Sequence, residues 1–143
     1  MPNENVENFA SLVMGMNRFL TRLGSVKPFS EGVGVSEWSA LSAIASQPGI
    51  NNKLLSKALG VTGQRVNQLV KSLSAAELIT VSESQADARI KNISITNSGE
   101  ARLKRISDAL GPAVVAAFKN RENALAGVSR VVNQNLMRLV ASK

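Results

Sequence analysis

The sequence of 143 residues contains no cysteine, no histidine and no tyrosine. Without cysteine there can be no disulfide, no thiol catalysis and no iron–sulfur cluster. Without histidine, imidazole bases and the common zinc sites are excluded as well. An enzyme would have to rely on carboxylates, lysine, serine or threonine, and the one pair of acids spaced four apart is Glu83 and Asp87, in a predicted loop. We therefore expect no catalytic activity, no metal and no cofactor.

Long apolar runs are also missing. No segment approaches the ~20 apolar residues that a membrane span requires, and residues 1–10 are polar and acidic, unlike a signal peptide. A hydrophobic fraction of 44% and a charged fraction of 19% are typical of a globular chain. We expect a cytoplasmic protein of one domain, with or without appended helices, and no membrane partner.

Acidic residues are scarce in the middle of the chain. The totals of 17 basic and 10 acidic residues give a net charge of +7, yet residues 38–76 contain no acid at all. The basic residues inside this stretch are Lys53, Lys57, Arg65 and Lys71. Such an excess favours an acidic partner, above all nucleic acid. A generic basic surface is the alternative.

Two short helices joined by a tight turn are predicted near the centre of the chain. Asn51 can cap the first, Gly60 can close it, and Thr62 can cap the second. The second helix has an apolar face over Val66 to Leu73 and an opposite polar face. That polar face consists of Gln64, Arg65, Asn67, Gln68 and Lys71. Arginine can pair with guanine and asparagine or glutamine with adenine, so the pattern is typical of a DNA-reading helix-turn-helix; plain helix surface is the alternative.

Alternating apolar residues replace the helical spacing after Glu77. Residues 78–81 and 90–95 are predicted strands, and the polar residues 82–89 suit the loop of a hairpin. Helices followed by a hairpin form a winged helix, which we expect over residues 36–105. The predicted fold is mostly α with a small β-hairpin wing.

Further helices are predicted on both sides of this core. One covers residues 5–23, one starts at a Ser36 cap, and a long one starts at a Ser98 cap and is kinked or interrupted at Gly111-Pro112. A last helix is expected over about 122–141. The terminal helices carry apolar stripes: Val6, Phe9, Val13, Met16, Leu20 and Leu23 in the first, and Leu125, Val128, Val132, Leu136, Leu139 and Val140 in the last. Because exposed stripes are unfavourable in water, residues 1–35 and 106–143 are predicted to form a helical dimerisation region.

The most specific pattern is Asp87-Ala88-Arg89 followed by Ile95-Thr96-Asn97-Ser98-Gly99. Together with Leu55-Ser56-Lys57-Ala58-Leu59-Gly60-Val61-Thr62 and residues 66–73, it resembles the MarR (multiple antibiotic resistance regulator) family. The family pattern is Asp-x-Arg, a strand, and Leu-Thr-x-x-Gly opening a long helix. Ile95 replaces the leucine here, and Leu54 replaces a frequent acid.

One departure from the family pattern bears on the backbone. Glu77 stands where the family usually has glycine after the recognition helix. A residue with a Cβ must accept a left-handed conformation there, at a cost of about 1 kcal/mol, or the helix must end differently.

The resemblance implies a homodimer that binds a pseudo-palindromic operator in double-stranded DNA. It also implies a repressor that releases DNA when a small organic effector binds, often an aromatic or phenolic anion. By position, Asp87 would hold the wing through a nearby basic group, and Arg89 would enter the minor groove. The DNA-binding residues implied in this way are Lys53, Lys57, Thr62, Gln64, Arg65, Asn67, Gln68, Lys71, Asp87, Arg89 and Lys91. A winged-helix module that binds only proteins is the alternative.

The sequence indicates the effector-binding residues less clearly than the DNA-binding residues. With no cysteine, thiol oxidation is excluded as a signal, and the lack of histidine argues against transition-metal sensing. A pocket for an aromatic anion would combine apolar side chains with an arginine; the candidates are Met16, Arg18, Phe19, Arg22, Trp38 and Leu41. The alternative is that Trp38 and its neighbours are simply core.

Overall fold

The computed structural model describes residues 3–138, apart from the side chain of Glu31. Its elements are α1 (Glu4–Leu23), a 3-10 turn (Phe29–Glu31), α2 (Val35–Ser46), α3 (Asn52–Leu59), α4 (Gly63–Ala75), β1 (Ile79–Glu83), β2 (Lys91–Ile95), α5 (Asn97–Ala117), α6 (Glu122–Arg130) and a π-helical turn (Val131–Leu136). The chain divides into two compact units, Met1–Ile106 and Ser107–Lys143. The predicted fold class, mostly α with one β-hairpin, is confirmed.

The core of the first unit lies between α2, α3, α4 and the hairpin. Each of these elements contributes at least one side chain that is shielded from solvent. The most deeply buried are Leu41, Ile44, Ile50, Leu55, Val66, Leu73 and Ile93. Burying a leucine or isoleucine side chain stabilises the fold by about 1.5–3 kcal/mol, so these side chains hold the helices and the wing together. The result is a winged helix-turn-helix.

The wing is an antiparallel hairpin attached to the turn after α2. In the β1–β2 register, Ile79 lies opposite Ile95 and Glu83 lies opposite Lys91. The backbone N–H of Ile93 donates to the carbonyl of Ile50 at 2.8 Å, and that of Gly49 donates to the carbonyl of Ile93 at 3.0 Å. These two bonds tie the start of the helix-turn-helix to the wing. The predicted strands were correct in type. Three of their four ends are displaced by one or two residues, so that Ser82 and Glu83, expected in the loop, belong to β1.

The junction between α4, β1 and α5 accounts for the Thr-x-x-Gly pattern. Glu77 has a φ of 60°, so it adopts the left-handed conformation that the sequence made one of two options. Its carbonyl accepts the hydroxyl of Thr96 at 2.8 Å, and the Thr96 oxygen accepts the backbone N–H of Gly99 at 3.0 Å. A Cβ on Gly99 would collide with the carbonyl oxygen of Leu78. Glycine is therefore required at position 99, where the first turn of α5 lies against the backbone of Leu78.

The predicted caps of α3 and α4 are confirmed. The Asn51 side chain accepts the N–H of Leu54 at 2.9 Å, and Thr62 accepts that of Arg65 at 3.1 Å. Gly60 has a φ of 65°, the left-handed conformation expected at the end of α3.

Two other predicted caps were wrong. The helix α2 begins after Gly34, whose N–H donates to the Glu37 carboxylate at 3.3 Å, so Ser36 lies inside the helix. The start of α5 is capped by Thr96 rather than Ser98, because the Thr96 hydroxyl is held by the Glu77 carbonyl. In both cases the helix begins closer to the N-terminus than expected, because Gly34 bonds to Glu37 and Thr96 bonds to Glu77 and Gly99.

The C-terminal helices also depart from prediction. Helix α5 continues through Gly111-Pro112, so an interruption there was wrong, and the alternative of a kink stays a prediction. The expected helix over 122–141 ends as an α-helix at Arg130 and goes on as the π-helical turn. Leu139 and Val140, which were expected on its apolar stripe, lie outside the described residues.

The apolar stripe of α1 is uncovered in the single chain. Leu23 is its only buried residue, whereas Val6 is 62% exposed and Leu20 is 51% exposed. In the second unit, Leu125 and Val128 of α6 are likewise exposed. None of the described helices is both long and apolar enough to cross a membrane.

Candidate nucleic-acid interface

Helix α4 presents the five polar side chains predicted for it on one exposed face. Its opposite face is anchored in the core by Val66, Leu69 and Leu73. Since side chains three and four positions apart share a helix face, this anchoring leaves the others in solvent. The exposed set is Gln64, Arg65, Asn67, Gln68 and Lys71.

Two grooves lie beside α3, and both are lined in part by basic residues. The first, of about 470 Å³ between α3 and α4, is lined by Asn52, Lys53, Ser56, Lys57, Gly63 and Asn67. The second, of about 310 Å³ between α3 and the wing, is lined by Asn51, Asn52, Lys53, Arg89, Ile90 and Lys91. Asn52 and Lys53 belong to both grooves. The structure therefore brings five of the predicted residues together around α3. They are Lys53, Lys57, Asn67, Arg89 and Lys91, whereas Gln64, Arg65, Gln68 and Lys71 line neither groove.

Asn52, Arg65 and Asn67 contact neutral partners, whereas Ser72, also in α4, donates its hydroxyl to the Glu37 carboxylate at 3.3 Å. A guanidinium N–H of Arg65 donates to the Gln68 side-chain oxygen at 3.3 Å. The Asn52 amide Nδ2 donates to Asn67 Oδ1 at 2.8 Å. No carboxylate among the described side chains pairs with the four cations of these helices, Lys53, Lys57, Arg65 and Lys71. Their positive charge is therefore available to an anionic ligand.

The wing behaves differently at its tip. The Arg89 guanidinium bonds both oxygens of Asp87, at 3.2 and 3.3 Å, so Arg89 itself is the basic partner expected for Asp87. The Arg89 backbone N–H also donates to Asp87, and together with the guanidinium it lowers the pKa of the Asp87 carboxyl. The Arg89 side chain is 91% exposed and accessible to a ligand.

A second ion pair lies along the hairpin. Lys91 Nζ is 2.8 Å from the carboxylate of Glu83, directly across the β1–β2 ladder. The hydrogen bond from Lys91, followed by its charge, lowers the pKa of Glu83. Sequence reasoning placed Lys91 in the site but missed Glu83 as its partner. Once a strand register is assumed, an acid and a lysine eight residues apart across a hairpin are the signal that would have found the pair.

The sequence also missed three polar residues of the grooves. Asn51, Asn52 and Ser56 were not among the predicted contacts, although they lie beside the predicted lysines. Ser56 is engaged within the protein, because its hydroxyl donates to the Val61 carbonyl at 2.5 Å. Asn52 instead reaches α4, through its bond to Asn67.

The predicted effector residues fall into two places. Arg18, Phe19 and Arg22 line a cavity of about 330 Å³ at the end of α1, together with Leu23 and Val26. Met16, Trp38 and Leu41 are not among its lining residues. The Trp38 ring packs on Phe29 with centroids 5.3 Å apart, and Leu41 is fully buried. In the described chain, Leu41 thus belongs to the core.

Comparison with known proteins identifies the family. A family model described as MarR family matches residues 31–90, from the turn before α2 to the wing. The MarR family is thus identified over residues 31–90. MarR-family proteins are transcription regulators. No curated protein matches this sequence.

Solved structures share the MarR fold at low sequence identity. Streptococcus pneumoniae FabT in complex with DNA is 19% identical, with a TM-score of 0.70 over 98% of this chain and 100% of that one. The transcriptional repressor CouR bound to a 23-mer DNA duplex is 18% identical, with a TM-score of 0.72 over 93% and 96%. Bordetella bronchiseptica BpsR, whose DNA binding is regulated by 6-hydroxynicotinic acid, is 19% identical, with a TM-score of 0.71 over 92% and 100%.

No acidic cluster suited to a metal occurs between residues 3 and 138. What the described surface offers instead is a helix with amide and guanidinium groups, bordered by lysines. Such groups donate hydrogen bonds and carry positive charge. The arrangement is suited to binding an anionic polymer.

Proposed function

We propose that this MarR-family protein is a homodimeric repressor that acts in the cytoplasm by binding pseudo-palindromic operators in double-stranded DNA. The observation that carries the proposal is the exposed face of α4, whose cations have no carboxylate partner among the described side chains. A dense phosphate backbone attracts such cations, and it releases its condensed counterions when they bind.

Helix α4, the neighbouring lysines and the wing contact different parts of the DNA. Helix α4 enters the major groove, where Gln64, Arg65, Asn67 and Gln68 face base edges. Phosphates are met by Lys53, Lys57 and Lys71 and by the N-terminal backbone of α4 after its Thr62 cap. At the wing, Arg89 enters the adjacent minor groove. The DNA complexes of FabT and CouR support this mode of binding for the fold.

The experiment that tests DNA binding begins with selection from random duplexes, followed by titration of the selected duplex at several salt concentrations. With roughly 6–10 phosphate contacts per dimer, affinity should fall by ~10³–10⁵ between 50 and 200 mM salt. A reporter gene behind the selected site should be silenced by the protein. If no duplex is enriched and the affinity for duplex DNA does not depend on salt concentration, the exposed face of α4 binds a protein partner instead.

Dimerisation is proposed from the exposed apolar face of α1. Val6, Phe9, Val13, Met16 and Leu20 are each at least 42% exposed, on a helix with one buried residue. A stripe of this kind is stable in water only when it is covered. A second copy covers it symmetrically, because a two-fold interface uses the same patch twice. The exposed apolar residues of the second unit are expected to join the same interface.

Sedimentation of two matched variants tests the dimer. Val13→Asp places a charge on the apolar stripe and should shift the protein from dimer to monomer or lower its melting temperature. Ser11→Asp adds the same charge on the opposite, polar side of α1, where Ser11 is exposed, and should leave the dimer intact. A folded parent protein that sediments as a monomer at micromolar concentration would contradict the proposal.

The effector is proposed to be a small aromatic anion that binds the cavity at the end of α1. Arg18 and Arg22 would pair with its carboxylate, and Phe19 would pack against its ring. The regulation of BpsR by 6-hydroxynicotinic acid supports an aromatic acid as the ligand class for the fold.

Linked titrations test this regulation. An aromatic carboxylate should weaken operator binding, and operator DNA should weaken carboxylate binding by the same factor. Arg18→Gln should reduce carboxylate binding, while Arg121→Gln, which changes a charge outside the cavity, should not. Carboxylate binding that leaves DNA affinity unchanged would remove the regulatory role.

A further inference from the structure

One side chain of the DNA-facing helix is held by a residue outside that helix. Asn67 of α4 is exposed, and its Oδ1 accepts a hydrogen bond of 2.8 Å from Nδ2 of Asn52 on α3. Asn52 itself is partly buried. Its own Oδ1 is shielded from solvent and has no hydrogen-bond partner in the described structure. The two amides are thus linked across the groove between α3 and α4.

This link gives the exposed amide a defined orientation. A free asparagine can turn either its oxygen or its NH2 group toward a base, since the two ends differ only in hydrogen-bonding character. With Oδ1 of Asn67 bonded to Asn52, the oxygen is directed toward α3 and Nδ2 remains open to a ligand. Nδ2 carries two donors and no acceptor. In the major groove, guanine N7 and O6 and thymine O4 are acceptors without a neighbouring donor on the same base.

We propose that Asn52 is a positioning residue for base selection: by holding the Asn67 oxygen, it makes Asn67 select a base that presents acceptors. The inference rests on the proposed DNA binding and deepens it. Adenine, which asparagine reads with both ends of its amide at once, is disfavoured at this position because one end is engaged within the protein.

A simple structural brace between α3 and α4 is the competing explanation. Each of the two helices is already anchored in the core by a fully buried side chain, Leu55 of α3 and Val66 of α4. Moreover, a pair that leaves one of its own oxygens shielded and unbonded is a poor stabilising contact, because an unsatisfied buried acceptor is costly. A brace would change stability and affinity for every duplex alike. A positioning residue changes the preference at one base pair in each half-site.

The first test replaces the donor by an acceptor. Asn52→Asp should bond Nδ2 of Asn67 and turn its oxygen toward the DNA, so that the preferred base becomes one with a donor, cytosine or adenine. The control is Asn51→Asp, which adds the same charge one residue away and keeps the cap on Leu54. Both variants should bind duplexes more weakly. Only Asn52→Asp should change the base selected from random duplexes, by about fivefold or more at one position.

The second test removes the link and keeps the proposal falsifiable if the charged variant is unstable. Asn52→Ala should reduce discrimination at the same position, with a melting temperature close to that of the parent. In an Asn67→Ala background the Asn52→Ala change should have no further effect on discrimination, since the two residues act as one unit.

The outcomes separate this inference from the proposed function. If the parent enriches a motif but the Asn52 variants keep its base preference, the positioning role is overturned and DNA binding stands. If the parent enriches no motif from random duplexes, both are overturned.

Discussion

Helix α4 and the wing offer cations to the same proposed ligand, but they hold them in different states. Arg65 of α4 bonds only the neutral amide of Gln68, and Lys71 has no carboxylate partner in the described chain. On the wing, both cations already hold an acid: Arg89 holds Asp87 and Lys91 holds Glu83. The four wing residues together carry no net charge, whereas the face of α4 is positive.

This difference teaches how the binding energy should be distributed. A phosphate approaching α4 experiences the full attraction of its cations. A phosphate approaching the wing has to displace a carboxylate first, so the net stabilisation is the difference between two ion pairs. We therefore expect α4 to dominate affinity and base selection, and the wing to adjust them.

The largest effect is expected from Arg65→Ala. Removing a base-reading guanidinium should weaken operator binding by about 1–3 kcal/mol per half-site and relax selection at one position. Titration against the operator and a scrambled duplex measures both effects. Arg65→Lys is the matched control, because it keeps the charge but not the two-pronged bond and should recover only the non-specific part. Unchanged operator affinity in both variants would place the reading surface elsewhere.

Lys57→Ala should act on affinity alone. A lysine that binds phosphate reads no sequence information, so operator and random duplex should weaken alike. The dependence of log affinity on log salt should become shallower by about one unit for each phosphate that the variant no longer neutralises. Titrations of both duplexes at four salt concentrations give the slope. A change in selectivity for the operator would show that Lys57 touches bases.

Arg89→Ala is expected to matter less than Arg65→Ala, because Arg89 must leave Asp87 before it meets DNA. Its effect should be strongest on operators with A·T-rich flanks, where the minor groove is narrow and strongly negative. The measurement compares the loss of affinity caused by Arg89→Ala on two duplexes that share one operator core, one with A·T-rich flanks and one with G·C-rich flanks. An effect larger than that of Arg65→Ala would reverse the comparison between α4 and the wing.

A smaller effect of opposite sign is expected from Glu83→Gln. Removing the partner of Lys91 frees that cation, so DNA affinity should rise, by less than about fivefold because exposed ion pairs are weak. Glu77→Gln is the control, since Glu77 is an exposed acid of the same charge with no lysine or arginine partner in the described chain. Equal increases in the two variants would mean that only net charge matters, and the ion pair would have no special role.

The smallest effect concerns stability against pH. The pKa values of Asp87 and Glu83 are lowered in the folded protein, so their contributions are present above the ordinary carboxyl pKa of about 4 and are lost as the pH falls through the lowered values. The melting temperature of Asp87→Asn should consequently drop slightly less than that of the parent between pH 6 and pH 3. Identical drops would show that the Asp87–Arg89 pair adds nothing to the fold.

Local sequence patterns were sufficient for the framework of the site. The caps at Asn51 and Thr62, the left-handed Gly60 and the polar face of α4 depend on residues within about four positions of each other, so spacing alone predicts them. At Glu77 the family pattern left two options, and the structure shows the left-handed one. At Thr96 the local rule failed, because a carbonyl 19 residues away holds the capping hydroxyl. At Gly34 the deciding acid, Glu37, is only three residues ahead, so that helix start was within reach of local rules and was wrongly assigned to Ser36.

Contacts between residues that are distant in sequence decided the remaining features of the site. The sequence by itself determined the helix-turn-helix, the hairpin and the basic middle of the chain, since these follow from short-range spacing and composition. Only the tertiary structure joined Asn52 to Asn67, paired Glu83 with Lys91, and placed Leu41 in the core apart from the cavity of Arg18 and Arg22. These contacts depend on how helices pack and how strands register, and many packings satisfy the same apolar pattern until the whole core closes.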